Sequence, residues 1–392
     1  MAARLERIGV KNYRCLRDVS IDAKGINVLF GPNGVGKTTF LDALWFVREC
    51  ETRGTDQAAS DRHHGIGLLW DGAAQDNHIE IAIETTTSIY TVTFGYSSGR
   101  IEPFVGESLQ SKTRPLSLVE RKIGSDHASF YDNELGVNFS FKLREPEKLA
   151  FSSFLFLYDP NKESWELDEI LKGAHFYSSR SANFVQLRKL GSETSQRMFL
   201  QEGWQNLWSA LRNLHGSQAL DSRYLTIIGF MRKAFPGCFK DLVFEQIGAD
   251  RVSASFVEEG RRQPIRASGI SDGHLQMLGL LTALFGNAQE RFSVQLFDEP
   301  ETSLHPHAIA VFSEAVRLAS NDWNRQVFLA THSPVLMSQF TPAETLVFKA
   351  DQATGTEAVR ASDLPDIKDL LDRYALGSLY MAEEVAPQSS AK

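Results

Sequence analysis

Residues 31–39 read GPNGVGKTT, matching the G-x-x-x-x-G-K-[ST] spacing that cradles phosphate. Gly31, Gly34 and Gly36 let the backbone curl until its N–H groups face inward, with Pro32, Asn33 and Val35 spacing them. A helix starting near Lys37 adds its positive end, and the Lys37 ammonium reaches β- and γ-phosphate oxygens. The Thr38 hydroxyl, followed by Thr39, is placed to ligate Mg2+. The spacing therefore predicts a nucleotide site. VQLFDEP at 294–300 ends an apolar run in two acids. Asp298 is expected to hold Mg2+ through water, and Glu299 to polarise the attacking water. ATHSP at 330–334 ends a third apolar run, with His332 placed to sense a γ-phosphate.

A second glycine loop, RASGISDGHLQ at 266–276, leads into a nearly wholly apolar helix. Ser271 and Gly273 at its start form a Ser-x-Gly turn, which can bind an anion. The loop at Gly31 already cradles this chain's own nucleotide. A second anion site is best explained by a γ-phosphate bound to another subunit.

Plainer readings exist for each motif. The Gly31 loop could be an ordinary turn, Asp298 and Glu299 could cap the helix that DEPETSLHP begins, and Ser333–Pro334 starts a helix whatever His332 does. Strand–loop–helix order and the three converging strand ends outweigh these. For 266–276 the plain reading, a tight turn feeding a core helix, stays open from the residues alone. His63 and His64 sit in a polar stretch and read as surface.

Three short apolar runs must position this chemistry: INVLF (26–30), SVQLF (293–297) and VFLAT (327–331). Each reads as a strand buried on both faces, and in a parallel sheet the site lies where the carboxyl ends converge. KTTFLDALWFVRE carries Phe40, Leu41, Leu44, Trp45 and Val47 at helical spacing. HIEIAIE, YTVTF and VNFSFKL (137–143) alternate with period two, which predicts half-buried antiparallel strands. Residues 50–75 and 100–125 are polar and read as loops, and 160–235 read as helical.

The chain has 392 residues, with 41 Lys and Arg against 49 Asp and Glu, a net charge of −8. This argues against a surface coated for nucleic acid without excluding a local basic stripe; Arg4, Arg7, Lys11, Arg14 and Arg17, or Arg180, Arg188 and Lys189, are the candidates. Cys15, Cys50 and Cys238 are scattered and form no CxxC pair, so neither a zinc site nor a disulfide framework is expected. The charged N-terminus lacks a signal-peptide apolar run, and no apolar run approaches the ~20 residues that span a bilayer. A cytoplasmic protein without a membrane partner is expected.

In order along the chain, VKNYRCL, INVLFGPNGVGKTTFLDAL, ISDGHLQMLGLL, LFDEPETSLHP and ATHSP resemble the ABC-type ATPases of the SMC and RecF group. The likeness is greatest to the branch related to the OLD (overcoming-lysogenization-defect) proteins. The resemblance implies an α/β P-loop NTPase with an ABC-type head: a mixed, largely parallel core sheet flanked by helices, an antiparallel β subdomain and a helical insertion. It implies ATP and Mg2+ as cofactors, with residues 31–39 as Walker A and 294–299 as Walker B. Ser271-Asp272-Gly273 becomes the signature, Ser303-Leu304-His305 the D-loop and His332 the switch histidine. Arg14 falls near the nucleotide, and Gln186 is the candidate Q-loop residue. In this family two heads sandwich two ATPs, which implies an ATP-dependent, isologous homodimer.

Ser-Asp-Gly replaces the transporters' Ser-Gly-Gly and favours the OLD-like branch. About 60 residues follow His332, short of a Toprim nuclease domain, so an ATPase without its own nuclease is expected. The expected units are an N-terminal lobe (1–150), a helical insertion (151–240), a C-terminal lobe (241–350) and a terminal helix with frayed tail (351–392). The function expected is an ATP-hydrolysing switch acting on DNA or on a separately encoded effector or nuclease, with DNA repair or anti-phage defence in view. A non-hydrolysing ATP-bound scaffold holding an effector or toxin is the alternative, and a transporter subunit a more distant one.

Overall fold

The structure, a computed structural model, describes residues 3–73, 78–158, 161–219, 221–288, 291–351 and 355–364. The three apolar runs become the strands Ile26–Phe30, Ser293–Asp298 and Arg325–Thr331, and every residue in them is buried. They lie within a six-stranded sheet ordered Ala174–Ser178, Ser293–Asp298, Arg325–Thr331, Ile26–Phe30, Thr345–Asp351 and Gly355–Arg360. The first five run parallel and the last is antiparallel.

Alternate residues enter two different cores, as a sheet covered on both faces requires. Leu29, Leu296 and Phe328 pack into one; Val28, Phe297 and Leu329 pack into the other. The first core is shared with the helix Lys37–Arg53, which buries Phe40, Leu41, Leu44 and Val47. It is also shared with an eight-stranded antiparallel sheet. There the predicted alternation is present in two of its three segments, since Ile79–Thr85 and Ser88–Phe94 pair antiparallel and bury every second residue, whereas Val137–Lys142, at the sheet edge, pairs antiparallel but is exposed at every position. The second core joins the helices Leu207–Gly216, Arg223–Ala234, Asp272–Phe285 and Pro306–Asp322. The α/β ABC-type fold expected from the sequence is the one observed.

Several local expectations need correction. Residues 160–235 are not wholly helical: Ala174–Ser178 is the edge strand of the parallel sheet, beside Ser293–Asp298. The polar segment 100–125 contains the strands Gly106–Ser111 and Ser117–Arg121, whose sheet neighbours rather than their composition hold them extended. In 50–75 the first helix runs on to Arg53, and Thr55–Ser60 adds another. The hairpin Asp241–Ile247 with Arg251–Val257 went unread. Within 351–392, Gly355–Arg360 is a strand; the expected terminal helix lies among residues 365–392, outside the described residues.

Register makes the site. Ser178 pairs with Asp298, Asp298 with Ala330, and Thr331 with Phe30. Four strands thus end flush, and Ser179, Glu299, His332 and Gly31 emerge at one sheet end.

The apolar helix Asp272–Phe285 packs so closely that an added Cβ at Gly279 would lie 2.1 Å from the Trp204 ring, and Trp204 is itself fully buried. Gly279→Ala should therefore cost about 1–3 kcal/mol by overpacking, read as a lower urea midpoint. An unchanged midpoint would show that the indole can yield.

Candidate nucleotide site

The helix after Ile26–Phe30 begins at Lys37, capped by Gly36 in the left-handed region (φ 96). A Cβ at Gly36 would fall 2.6 Å from Leu16 and 2.9 Å from the Cys15 sulfur, so the turn carrying Arg14 and Cys15 presses on this loop. At Gly34 (φ 84) a Cβ would meet nothing within 4 Å, leaving the conformation as the reason for glycine. Lys37 is only 5% exposed. Its Nζ donates to the carbonyls of Gly31 (2.8 Å) and Pro32 (2.7 Å). Burial lowers its pKa, opposed by the charges of Glu299, Asp298 and Glu301.

Thr38 Oγ1 donates to Asp298 Oδ1 at 2.6 Å, and Ser178 Oγ donates to Oδ2 at 3.2 Å. Burial raises the Asp298 pKa against these hydrogen bonds. Thr38, Ser178 and Asp298 form an all-oxygen donor set beside a buried ammonium, the chemistry that suits Mg2+ carried by a phosphate chain. The residues present therefore fit Mg–ATP.

Glu299 has a left-handed backbone (φ 51), unusual for a side-chain-bearing residue. Its N–H donates to Ala330 O (2.9 Å), and its carbonyl accepts from Ser179 Oγ (2.7 Å) and Thr302 Oγ1 (2.9 Å). Its Oε2 lies 2.5 Å from His332 Nδ1. Glu301 accepts a short hydrogen bond from the Thr331 hydroxyl, and burial, joined by the Glu299 charge, pushes its pKa up to about 7. Ligand atoms of Glu299, Glu301 and His332 lie within 4.8 Å of one another.

Ser271 N-caps its helix, accepting from His274 N–H, and its Oγ lies 2.5 Å from His274 Nδ1. The His274 ring stacks on Phe235 at 3.9 Å, and burial lowers its pKa. Arg188 grips the same turn, its Nη2 bonding Asp272 and its Nε donating to Ile270 O (2.9 Å). Gly273 has a packing reason as well, because a Cβ there would sit 2.6 Å from the Ser303 carbonyl. Among the described residues, neither Ser271 nor Gly273 hydrogen-bonds to the loop at 31–39.

Other expected residues are more distant. Arg14 (φ 51) turns its guanidinium to Asp42 at 3.5 Å, and its turn reaches the loop through Cys15, whose sulfur is 3.7 Å from Thr39 Oγ1. Gln186 hydrogen-bonds Asn183 on an exposed helix and does not join the site; the strand end beside Asp298 is occupied by Ser178 and Ser179 instead. His305 N-caps the helix Pro306–Asp322. The proposed basic stripe is partly neutralised: Arg7 pairs with Asp22, Lys11 with Glu80 and Arg188 with Asp272. Ser178, Ser179, Gln276, Glu301 and Thr331 were missed. The repeated acid in DEPE signalled Glu301, whereas Ser178 ends and Ser179 follows a strand too short to read.

A family model described as "AAA domain, putative AbiEii toxin, Type IV TA system" matches residues 26–338. The chain belongs to this AAA-domain family. The OLD nuclease of Thermus scotoductus is 23% identical over 408 residues, covering 96% of this chain and 68% of that protein. Endonuclease GajA of Bacillus cereus is 23% identical over 358 residues, covering 85% of this chain and 56% of GajA. This chain thus spans little more than half of GajA's length. A crystal structure of the SmcHead bound to the C-winged helix domain of ScpA matches with a TM-score of 0.56 at 14% identity, covering 91% of this chain and 96% of that one; this is a likeness of fold. Together they support an ABC/AAA-type ATPase similar to the OLD proteins, with the SMC head a likeness of fold alone. Among the described residues no helix is long and apolar enough to cross a membrane.

The folded chain holds a proton on Glu301 more readily than the unfolded one, whose glutamate titrates near 4.5. That contribution to stability is complete below the unfolded value and is lost as pH rises through about 7. The Tm of Glu301→Gln, compared with wild type, should therefore climb as pH goes from about 5 to about 8. A difference that stays flat with pH would mean Glu301 is not protonated in the fold.

Proposed function

We propose that this chain binds and hydrolyses ATP with Mg2+, and that ATP closes a homodimer that acts as a switch on DNA or on an effector. One observation carries the reading: Lys37, Thr38, Asp298 and Glu299 converge at the flush ends of one parallel sheet. Lys37 exchanges the carbonyls of Gly31 and Pro32 for phosphate oxygens. Thr38 and Asp298, with Ser178, supply oxygen donors for Mg2+, whose contribution when bound is to neutralise phosphate charge. Glu299 accepts the proton of the attacking water, and His332, in contact with its carboxylate, orients it. The signature turn supports the two-headed arrangement, because Ser271 stands at a helix N-terminus suited to an anion, in a turn separate from the loop at 31–39. Two of the matched relatives are named as nucleases, which makes a nuclease outside residues 1–392 the first effector class to seek.

Phosphate release and light-scattering mass test the reading together. Glu299→Gln should lower turnover by ~10²–10⁴ while still binding ATP, and its mass should double only with ATP and Mg2+. Ser271→Arg should abolish the doubling. Tight ATP binding by wild type without phosphate release would favour the scaffold alternative, and an ATP-bound Glu299→Gln that stays monomeric would remove the composite site.

A further inference from the structure

The buried side of the helix Asp272–Phe285 carries two polar residues: Thr282 satisfies its hydroxyl on Leu278 O within the helix (2.7 Å), whereas Gln276, 1% exposed between Leu275 and Met277, must find its partners outside it. A buried amide is costly unless its polar atoms are paired, so its partners are informative. Gln276 Nε2 donates to Ser179 Oγ at 2.6 Å and to the Pro300 carbonyl at 3.1 Å. Ser179 Oγ in turn donates to the Glu299 carbonyl at 2.7 Å. One side chain thus braces the carbonyls of two successive residues, Pro300 directly and Glu299 through Ser179.

Those residues form the turn that aims the Glu299 carboxylate. Glu299 holds a left-handed φ of 51, although a residue before proline favours extended backbone. Such a conformation is strained and persists only where its surroundings enforce it. Ser179, Gln276 and Thr302 are the enforcing groups on the carbonyl side.

We propose that Gln276 is a positioning residue for Glu299, so that the helix carrying Ser271 at its start sets the aim of the same chain's catalytic carboxylate. The assignment rests on the ATPase reading above. Ser271 and Gln276 are five residues apart, about 7.5 Å along the helix axis, so a shift of the helix start moves the brace with it. In a two-headed dimer Ser271 meets the partner's nucleotide while Glu299 serves its own. The brace therefore makes hydrolysis at one site answer to occupancy of the other.

The test measures kcat, KM, ATP-dependent mass and Tm on wild type, Gln276→Leu, Gln276→Met and Ser179→Ala, each also combined with Glu299→Gln. Ser179→Ala removes a single oxygen, so it guards against misfolding of the Gln276 variants. Each single variant should lose at least about tenfold in kcat, with KM and ATP-induced mass doubling near wild type, because transition-state geometry alone is impaired. In the Glu299→Gln background the same changes should leave residual turnover unaltered, since coupled residues are not additive. Full kcat in folded Gln276 and Ser179 variants would overturn the brace, as would an equal loss with and without Glu299. A wild type that releases no phosphate would instead sink the ATPase reading, and the brace with it.

Discussion

Three carboxyl groups, those of Asp298, Glu299 and Glu301, crowd a single sheet end around one buried ammonium, that of Lys37. Carboxylates held out of water repel one another and resist ionisation, and both responses are present. Asp298 and Glu301 have raised pKa values, and each of these two has its own hydrogen-bond donors. Thr38 and Ser178 serve Asp298, Thr331 serves Glu301, and His332 faces Glu299. Neither the flush register of the strands nor the left-handed turn at Glu299 makes sense as packing alone; together they keep the acids close without collapse. A divalent cation and a polyphosphate are the partners such an imbalance of charge favours.

What was legible in the sequence follows from what burial does to a pattern. INVLF, SVQLF and VFLAT are largely apolar without a period of two because both faces of their sheet are covered, with Asn27, Ser293, Gln295 and Thr331 the buried polar exceptions, and each breaks off into the residues that carry chemistry. HIEIAIE and YTVTF alternate because one face meets the core and the other is only partly covered. Ala174–Ser178 defeated the same logic: five residues, one of them histidine, between two helices give no period to count. Gln276 was hidden for a different reason. Polar residues in apolar helices look like tolerated exceptions until their partners, here distant in sequence, are known. The second glycine loop was read for its chemistry, and the structure adds a steric demand at Gly273 from the Ser303 carbonyl. One residue can answer to both.

The charge candidates for nucleic acid show how sequence overstates surfaces. Arg7, Lys11, Arg14 and Arg188 each have an acidic neighbour within 4 Å. Exposed pairs of this kind add little to stability, but they blunt a positive field. A stripe that reads as five cations in the chain presents much less net charge on the fold.

The parallel sheet has no core of its own. Leu296 belongs to the cluster shared with the antiparallel sheet, and Phe297, the next residue, to the cluster shared with the helices Asp272–Phe285 and Pro306–Asp322. Asp298 follows immediately. Melting either layer would uncover one face of the strand that ends in Asp298, so no half-folded form retains the cluster of acids at the sheet end. The two layers are thus tied by function as well as by contact, and heat, denaturant or a cavity in either should silence the molecule before it visibly comes apart.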